Sequence, residues 1–209
     1  MQNELRQLLR DCKDCVLVEE CENTIKVVEL RERVRQTAAQ NEGTKDGEAC
    51  FSIGFCFYKL WDYADAIRWL GLALTLDENH QEAHRYLGHS LFDKGRYSEA
   101  QQHLEVAARY PERYQYWVQL KLEELVVCCS LYTSTDETAV SAACKVVREY
   151  RDAPQDEVAL PTELVVCVSD LVRNSPNGSM LKLCEAVRRM LTDLELTEAF
   201  SEELTLLRC

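Results

Sequence analysis

The sequence contains an internal repeat of 34 residues. GEACFSIGFCFYKLWDYADAIRWLGLALTLDENH, at 47–80, aligns without a gap to QEAHRYLGHSLFDKGRYSEAQQHLEVAARYPERY, at 81–114. Large and small residues occur in the same order in both copies, and the aligned pairs are Ala49 with Ala83, Ile53 with Leu87, Gly54 with Gly88, Phe57 with Leu91, Tyr63 with Tyr97, Ala66 with Ala100, Leu70 with Leu104 and Ala73 with Ala107. A fixed period of this length predicts stacked structural units.

Each repeat predicts two antiparallel helices joined by a short turn. The helices are predicted over 48–60, 63–76, 82–93 and 97–109. Small residues such as Gly54 and Ala66 allow the two helices of a unit to approach closely, and larger residues fill the remaining volume. Gly95 supplies the turn of the second unit, whereas Trp61 holds the same place in the first and restricts that turn.

The repeat resembles the tetratricopeptide repeat, a helix–turn–helix unit of the same length. The matching residues of the second copy are Leu87, Gly88, Gly95, Tyr97, Ala100, Leu104, Ala107 and Pro111. Those of the first copy are Ile53, Gly54, Tyr63, Ala66, Ile67, Ala73 and Leu74, and this copy ends in Asp77-Glu78 where the family often has Asp-Pro. The resemblance covers about a third of the chain and implies a right-handed α-α superhelix with an interaction surface.

The segments that flank the repeat predict further helices, because two units alone cannot bury their outer faces. We expect a single all-α domain over 1–209, made of N-terminal capping helices at 1–46, two repeat units at 47–114, a degenerate helical hairpin at 115–151 and C-terminal helices at 162–209. The flanking helices are predicted over 2–12, 16–39, 112–132, 136–150, 162–174, 179–193 and 196–207. Thr135 or Asp136 is expected to cap one helix. Residues 151–162, with two prolines, predict a linker or exposed loop.

Composition narrows the classes of partner and compartment. The net charge of −12 disfavours nucleic acid and suits a basic protein partner. No apolar run is long enough to cross a membrane, and the charged N-terminus does not resemble a secretory signal. Eleven scattered cysteines therefore predict reduced thiols in a protein of the cytoplasm or the nucleus.

Two groups of residues suggest chemistry, but neither has the pattern of a known site. Cys12 and Cys15 form a Cys-x-x-Cys, either a redox pair or half of a zinc site, yet no second ligand pair follows. His80 and His84 have the spacing of a metal pair on one helical face, without an accompanying carboxylate motif. We therefore expect no catalytic residues, no metal and no cofactor.

The first helix of each unit is the expected binding surface, since these helices line the concave face of tetratricopeptide arrays. The resemblance assigns the groove to Phe51, Phe55, Tyr58, Lys59, Glu82, Arg85, His89, Phe92 and Asp93. Periodicity also places Phe51, Phe55 and Tyr58 on a different face from Ile53 and Phe57. This apolar strip either binds a partner or is covered by the chain's own N-terminal helix, at 16–39, or by a C-terminal helix.

The leading functional hypothesis is an adaptor or interaction module that binds a helix or peptide of a partner protein. The alternative is a structural subunit of a larger assembly, which makes its contacts through outer helices. An RNA-associated repeat protein is the weaker third hypothesis, because the sequence lacks a basic stripe. The clamp that some tetratricopeptide proteins use on chaperone tails is disfavoured, since Phe51, Phe55 and Tyr86 stand where it needs Lys or Asn.

Overall fold

The structure is a computed structural model that describes residues 2–14, 25–109, 114–153, 160–174 and 177–207. These residues form helices and no strands, and consecutive helices pack against one another. The helices are α1 (Gln2–Asp14), α2 (Ile25–Gln40), α3 (Gly47–Lys59), α4 (Tyr63–Leu76), α5 (Gln81–Asp93), α6 (Tyr97–Ala108), α7 (Tyr116–Thr133), α8 (Glu137–Asp152), α9 (Thr162–Asn174), α10 (Gly178–Asp193) and α11 (Ser201–Leu206). The predicted all-α helical-repeat class is confirmed.

Side-chain caps explain where several helices begin. Asp46 Oδ1 accepts a hydrogen bond from the Ala49 backbone at 3.1 Å, and Asp136 Oδ1 accepts one from Ala139 at 2.9 Å. A short acidic side chain satisfies a backbone N–H group that the first turn leaves unpaired. Asp136, one of the two predicted caps, is therefore the one that the structure uses.

The same C-terminal turn ends α3, α5 and α10. In each case the residue after the cap has a left-handed backbone, with φ values of 61° at Trp61, 71° at Gly95 and 58° at Glu195. The following residue donates back into the helix, as Arg96 does to the Leu91 carbonyl at 2.9 Å. This is the Schellman arrangement, in which glycine is the least strained choice. The sequence predicted that Trp61 restricts this turn, and in the structure Trp61 has the left-handed backbone conformation that is costly for a residue with a side chain.

Residues Met1–Arg96 form one compact unit, which contains α1 to α5. Its core includes the buried side chains of Leu8, Val34, Ile53, Trp69 and Leu70. Helices α3 and α4 pack very closely because Gly54 has no side chain to hold them apart. A Cβ atom built on Gly54 would lie 2.7 Å from Leu70 Cγ and 2.9 Å from the Leu70 backbone nitrogen.

Residues Tyr97–Cys209 form a second compact unit, which contains α6 to α11. Here α7 packs on α6, α8 and α9, while α8 also packs on α10. Fully buried side chains include Leu122, Tyr150, Leu164, Met180 and Leu183. The boundary between the units falls after Arg96, inside the second sequence repeat. The expectation that 1–209 behaves as one domain therefore stays a prediction.

A buried polar network joins three helices of the second unit. The fully buried carboxylate of Glu124 lies 2.6 Å from Lys121 Nζ and accepts hydrogen bonds from the Tyr150 hydroxyl at 2.5 Å and the Leu164 backbone at 2.8 Å. Lys121 also pairs with Glu163. Burial lowers the pKa of Lys121, but the carboxylates of Glu124 and Glu163 outweigh it and raise that pKa above its ordinary value.

Predicted and observed helix ends agree within a few residues for most elements. The C-terminal helix is shorter than predicted, since turns occupy 197–200 and α11 begins at Ser201. Helix α7 begins at Tyr116 rather than at 112, and residues 110–113, including Pro111, lie outside the described residues. The same holds for 16–24 of the predicted second helix, for 154–159 of the predicted linker and for Pro176.

Candidate functional site

The candidate site is the face of α3 and α5, which we call the α3–α5 face and define by the groove residues predicted above. These two helices pack against each other in the first unit. The face holds Phe51, Phe55, Tyr58 and Lys59 from α3, with Glu82, Arg85, His89, Phe92 and Asp93 from α5. The structure therefore brings the predicted set to two adjacent helices of one compact unit.

The predicted residues differ in accessibility. Phe55 is buried, with 5% of its surface exposed, so it forms the base of the face and offers no ring to a partner. Asp93 is exposed. The others are half-buried: Phe51, Tyr58, Lys59, Glu82, Arg85, His89 and Phe92. Phe55 is thus covered within the chain, with Tyr86 of α5 against its ring, while the surrounding side chains keep part of their surface accessible.

Tyr86 is the central ring of the face, although it was not among the predicted groove residues. Its ring lies 4.8 Å from that of Phe55, edge-on, and 4.9 Å from that of Tyr58, measured between centroids. Phe51 lies 6.3 Å from the same ring. The spacing of Glu82, Tyr86 and Asp93 places them on one side of α5, a signal that periodicity alone contains.

Arg85 is a half-buried cation beside these rings. Its guanidinium carbon lies 4.5 Å from the Tyr86 ring centre, and it donates to the Tyr86 hydroxyl. Glu82 lies 3.5 Å from the same guanidinium. Cation–π and ionic contacts hold Arg85 in place on the surface, which reduces the entropy that binding would cost.

The hydroxyls of Tyr58 and Tyr63, at the end of the face near Asp93, stay protonated. Burial raises the pKa of Tyr58, and the neighbouring Tyr86, Asp93 and Tyr63 raise it further. Burial together with the carboxylate and hydrogen bond of Asp93 raises the pKa of Tyr63 to about 12. These tyrosines are therefore neutral hydrogen-bonding groups over the physiological range.

The histidines near the face have protein partners at their ring nitrogens. His80 Nδ1 accepts a hydrogen bond from the Ala83 backbone at 3.2 Å, so this residue caps α5. His80 Nε2 lies 3.5 Å from Glu48, and His84 Nε2 lies 3.0 Å from the Glu78 carbonyl oxygen. Within the described residues, no three His, Cys, Asp or Glu side chains gather as metal ligands would.

The thiols of Cys12, Cys50, Cys56, Cys128, Cys129, Cys144 and Cys167 are free, and all of them except the half-buried Cys144 are buried. Cys12 hydrogen-bonds Cys56, and this contact together with burial raises the pKa of Cys56. Burial raises the pKa of Cys129 to about 12. Buried thiols with raised pKa values are poor nucleophiles. Cys15, the second cysteine of the Cys-x-x-Cys, lies outside the described residues.

Comparisons with protein-family models and with curated proteins found no match to this sequence. None of the helices in the described ranges combines the length and the apolar composition that crossing a bilayer requires.

Proposed function

We propose that the protein is an interaction module of the tetratricopeptide type, an adaptor that binds a helix or extended peptide of a partner protein on the α3–α5 face. The observation that carries the proposal is the half-buried aromatic surface formed by Phe51, Tyr58 and Tyr86 around the anchored cation of Arg85. Tyrosine and arginine are enriched at the centres of protein interfaces, where each combines apolar contact with a polar end. The free, buried thiols of Cys12, Cys50 and Cys128 are in keeping with a reducing compartment such as the cytoplasm or nucleus.

The charges of the face favour a partner segment of mixed charge. Lys59 and Arg85 contribute cations, and Glu82 and Asp93 contribute carboxylates, so neither sign dominates. A basic partner, which the net charge of the whole chain suits, has no special advantage at this face. The bound segment would instead place apolar side chains against the rings and polar groups towards the charged rim.

Substitutions of half-buried side chains on the face test this proposal. The triple change Phe51→Ser, Lys59→Glu and Glu82→Lys should remove a partner that wild-type protein captures from native extract, while leaving helical content unchanged. A matched control, Lys94→Glu with Glu78→Lys, makes the same charge changes at exposed positions outside the face. Quantitative mass spectrometry of the captured proteins is the measurement. Retention of every partner by the triple variant would contradict binding at this face.

The outer side of α4 supports a second candidate function, that of a structural subunit. Leu72 and Leu76 are spaced one turn apart on this helix and remain 40% and 45% exposed. Leucines at such spacing suit a helix–helix contact. Replacing both leucines with Lys should prevent the protein from assembling with its partner subunits, as measured by light scattering. The same change should leave peptide binding at the α3–α5 face intact. Unchanged assembly would exclude this surface.

A further inference from the structure

A groove of about 440 Å³ lies between α8 and α10 in the second unit. Its floor is apolar and consists of Val140, Val147 and Met190, which are buried, with the half-buried Cys144 and Ala186. Its rim carries the cations Arg148, Arg151, Lys182 and Arg189, and Glu137 is the one carboxylate in the lining. The hydroxyls of Ser141 and Ser179 complete the polar lining.

This concentration of cations contrasts with the chain as a whole, whose net charge is −12. Arg189 pairs with Glu185, and Arg151 Nε lies 3.4 Å from Asp152, so these two cations are partly neutralised. Arg148 and Lys182 are exposed and form no hydrogen bond or ion pair with any described residue. The groove therefore keeps two cations available for an anionic ligand.

The apolar floor restricts the chemistry of that ligand. A chain of phosphates makes no favourable contact with the apolar side chains of Val140, Val147 and Met190. The lining also contains no aromatic ring on which a base would stack. The overall negative charge of the chain also opposes a polyanion as large as a nucleic acid. A peptide that carries both carboxylates and aliphatic side chains satisfies the rim and the floor together.

We propose that the α8–α10 groove binds an acidic amphipathic segment of a partner protein, with carboxylates on Arg148 and Lys182 and an aliphatic side chain on the floor beside Cys144. The groove is formed by α8 and α10 of the second unit, whereas the α3–α5 face belongs to the first unit. The two proposals therefore stand on different residues and are tested separately. An acidic partner at this groove differs from the expectation from net charge, which favoured basic partners or no electrostatic preference.

A defined peptide tests the groove on the full chain. The probe is a fluorescein-labelled amphipathic peptide built from the repeat Glu-Glu-Leu-Leu-Glu-Glu-Leu, and binding is measured by fluorescence anisotropy. At about 0.1 M salt, where charges still interact over about 10 Å, Arg148→Glu with Lys182→Glu should weaken binding roughly tenfold. The milder pair Arg148→Gln with Lys182→Gln should weaken it less, and circular dichroism should show both variants folded.

Matched controls separate the groove from general electrostatic attraction. Lys145→Glu with Arg173→Glu makes the same change in net charge at exposed positions outside the groove and should alter binding less than about twofold. A peptide with Lys in place of Glu should not displace the acidic peptide from the groove, because its charges have the same sign as those of the rim. Bound peptide should also slow the alkylation of Cys144, followed by mass spectrometry of that cysteine.

Four results would overturn the proposal: no binding of the acidic peptide by the wild type, equal binding by the charge-reversed variant, equal weakening by the control variant, or no protection of Cys144. Displacement of the peptide by single-stranded oligothymidine, with a Kd at least as tight, would assign the groove to nucleic acid instead.

Discussion

Replacing Gly54 with alanine tests the close contact between α3 and α4. The added Cβ would lie 2.7 Å from Leu70 Cγ and 2.9 Å from the Leu70 backbone nitrogen, so the helices must separate. Such overpacking costs about 1–3 kcal/mol. Alanine also favours a helix over glycine by about 1 kcal/mol, which acts in the opposite direction.

Gly71→Ala is the matched control because Gly71 lies inside α4 with nothing within 4 Å of an added Cβ. This control should gain the helix preference alone and be stabilised by about 1 kcal/mol. The preference is common to both variants, so their difference isolates the steric cost. We expect Gly54→Ala to be less stable than Gly71→Ala by about 1–3 kcal/mol.

Urea unfolding followed by circular dichroism measures this difference, provided that the two variants have equal m-values. Leu70 is buried, so Leu70→Ala has a cavity cost of its own and serves as a second background. Gly54→Ala should cost less in that background than in the wild type, since the side-chain obstruction at Cγ disappears and the backbone nitrogen remains. Equal stability of Gly54→Ala and Gly71→Ala would refute the close approach of α3 and α4. Complete loss of the steric cost in the Leu70→Ala background would show that the backbone contact imposes no cost.

Five further substitutions test other parts of the structure. Trp61→Gly should raise the stability by about 1 kcal/mol and Gly95→Ala should lower it by a similar amount, because both positions have left-handed backbones. An unchanged melting temperature in both variants would contradict this strain. Phe55→Ala should cost about 3–5 kcal/mol in urea unfolding, as expected for a buried ring, and a loss below about 1 kcal/mol would mean that the ring is free for a partner. Glu124→Ala should cost about 3–5 kcal/mol by the same assay. It removes one of the two carboxylates that pair with Lys121 and leaves the buried Tyr150 hydroxyl and Leu164 backbone N–H without their acceptor, and near-wild-type stability would contradict this role of the network. Hydrogen bonds from the Ala139 backbone and the Ser134 hydroxyl hold the pKa of Asp136 below its ordinary value of 3.8. The stability that the ionised cap contributes is therefore present above about pH 4 and is lost as the pH falls through the lowered pKa. The difference in melting temperature between wild type and Asp136→Ala should shrink over this range, and a constant difference would exclude the cap.

Most helix ends of the structure follow from signals confined to a few neighbouring residues. Asp136 caps α8 and Gly95 ends α5 because a carboxylate can bond the next free N–H group and glycine accepts a left-handed backbone. The 34-residue period likewise places the helices of α3 to α6, since equal spacing of small and large residues requires equal elements. These signals do not depend on contact with a distant part of the chain.

Sequence patterns predicted the helices of the candidate site but not the role of each side chain. Periodicity put Phe55 with Phe51 and Tyr58 on one face, yet the structure buries Phe55 beneath Tyr86 and leaves the other two half-buried. A helical period specifies direction around an axis, whereas burial depends on the size and position of the side chains that the neighbouring helix supplies.

The Glu124 network and the α8–α10 groove were decided by tertiary structure alone. Glu124 reaches Tyr150 and the backbone of Leu164, which are 26 and 40 residues away, and nothing in the local sequence pairs these groups. Arg148 and Lys182 likewise line one groove only because α8 packs on α10. Buried polar groups and clustered charges depend on which surfaces meet, and that is determined by the packing of the whole core.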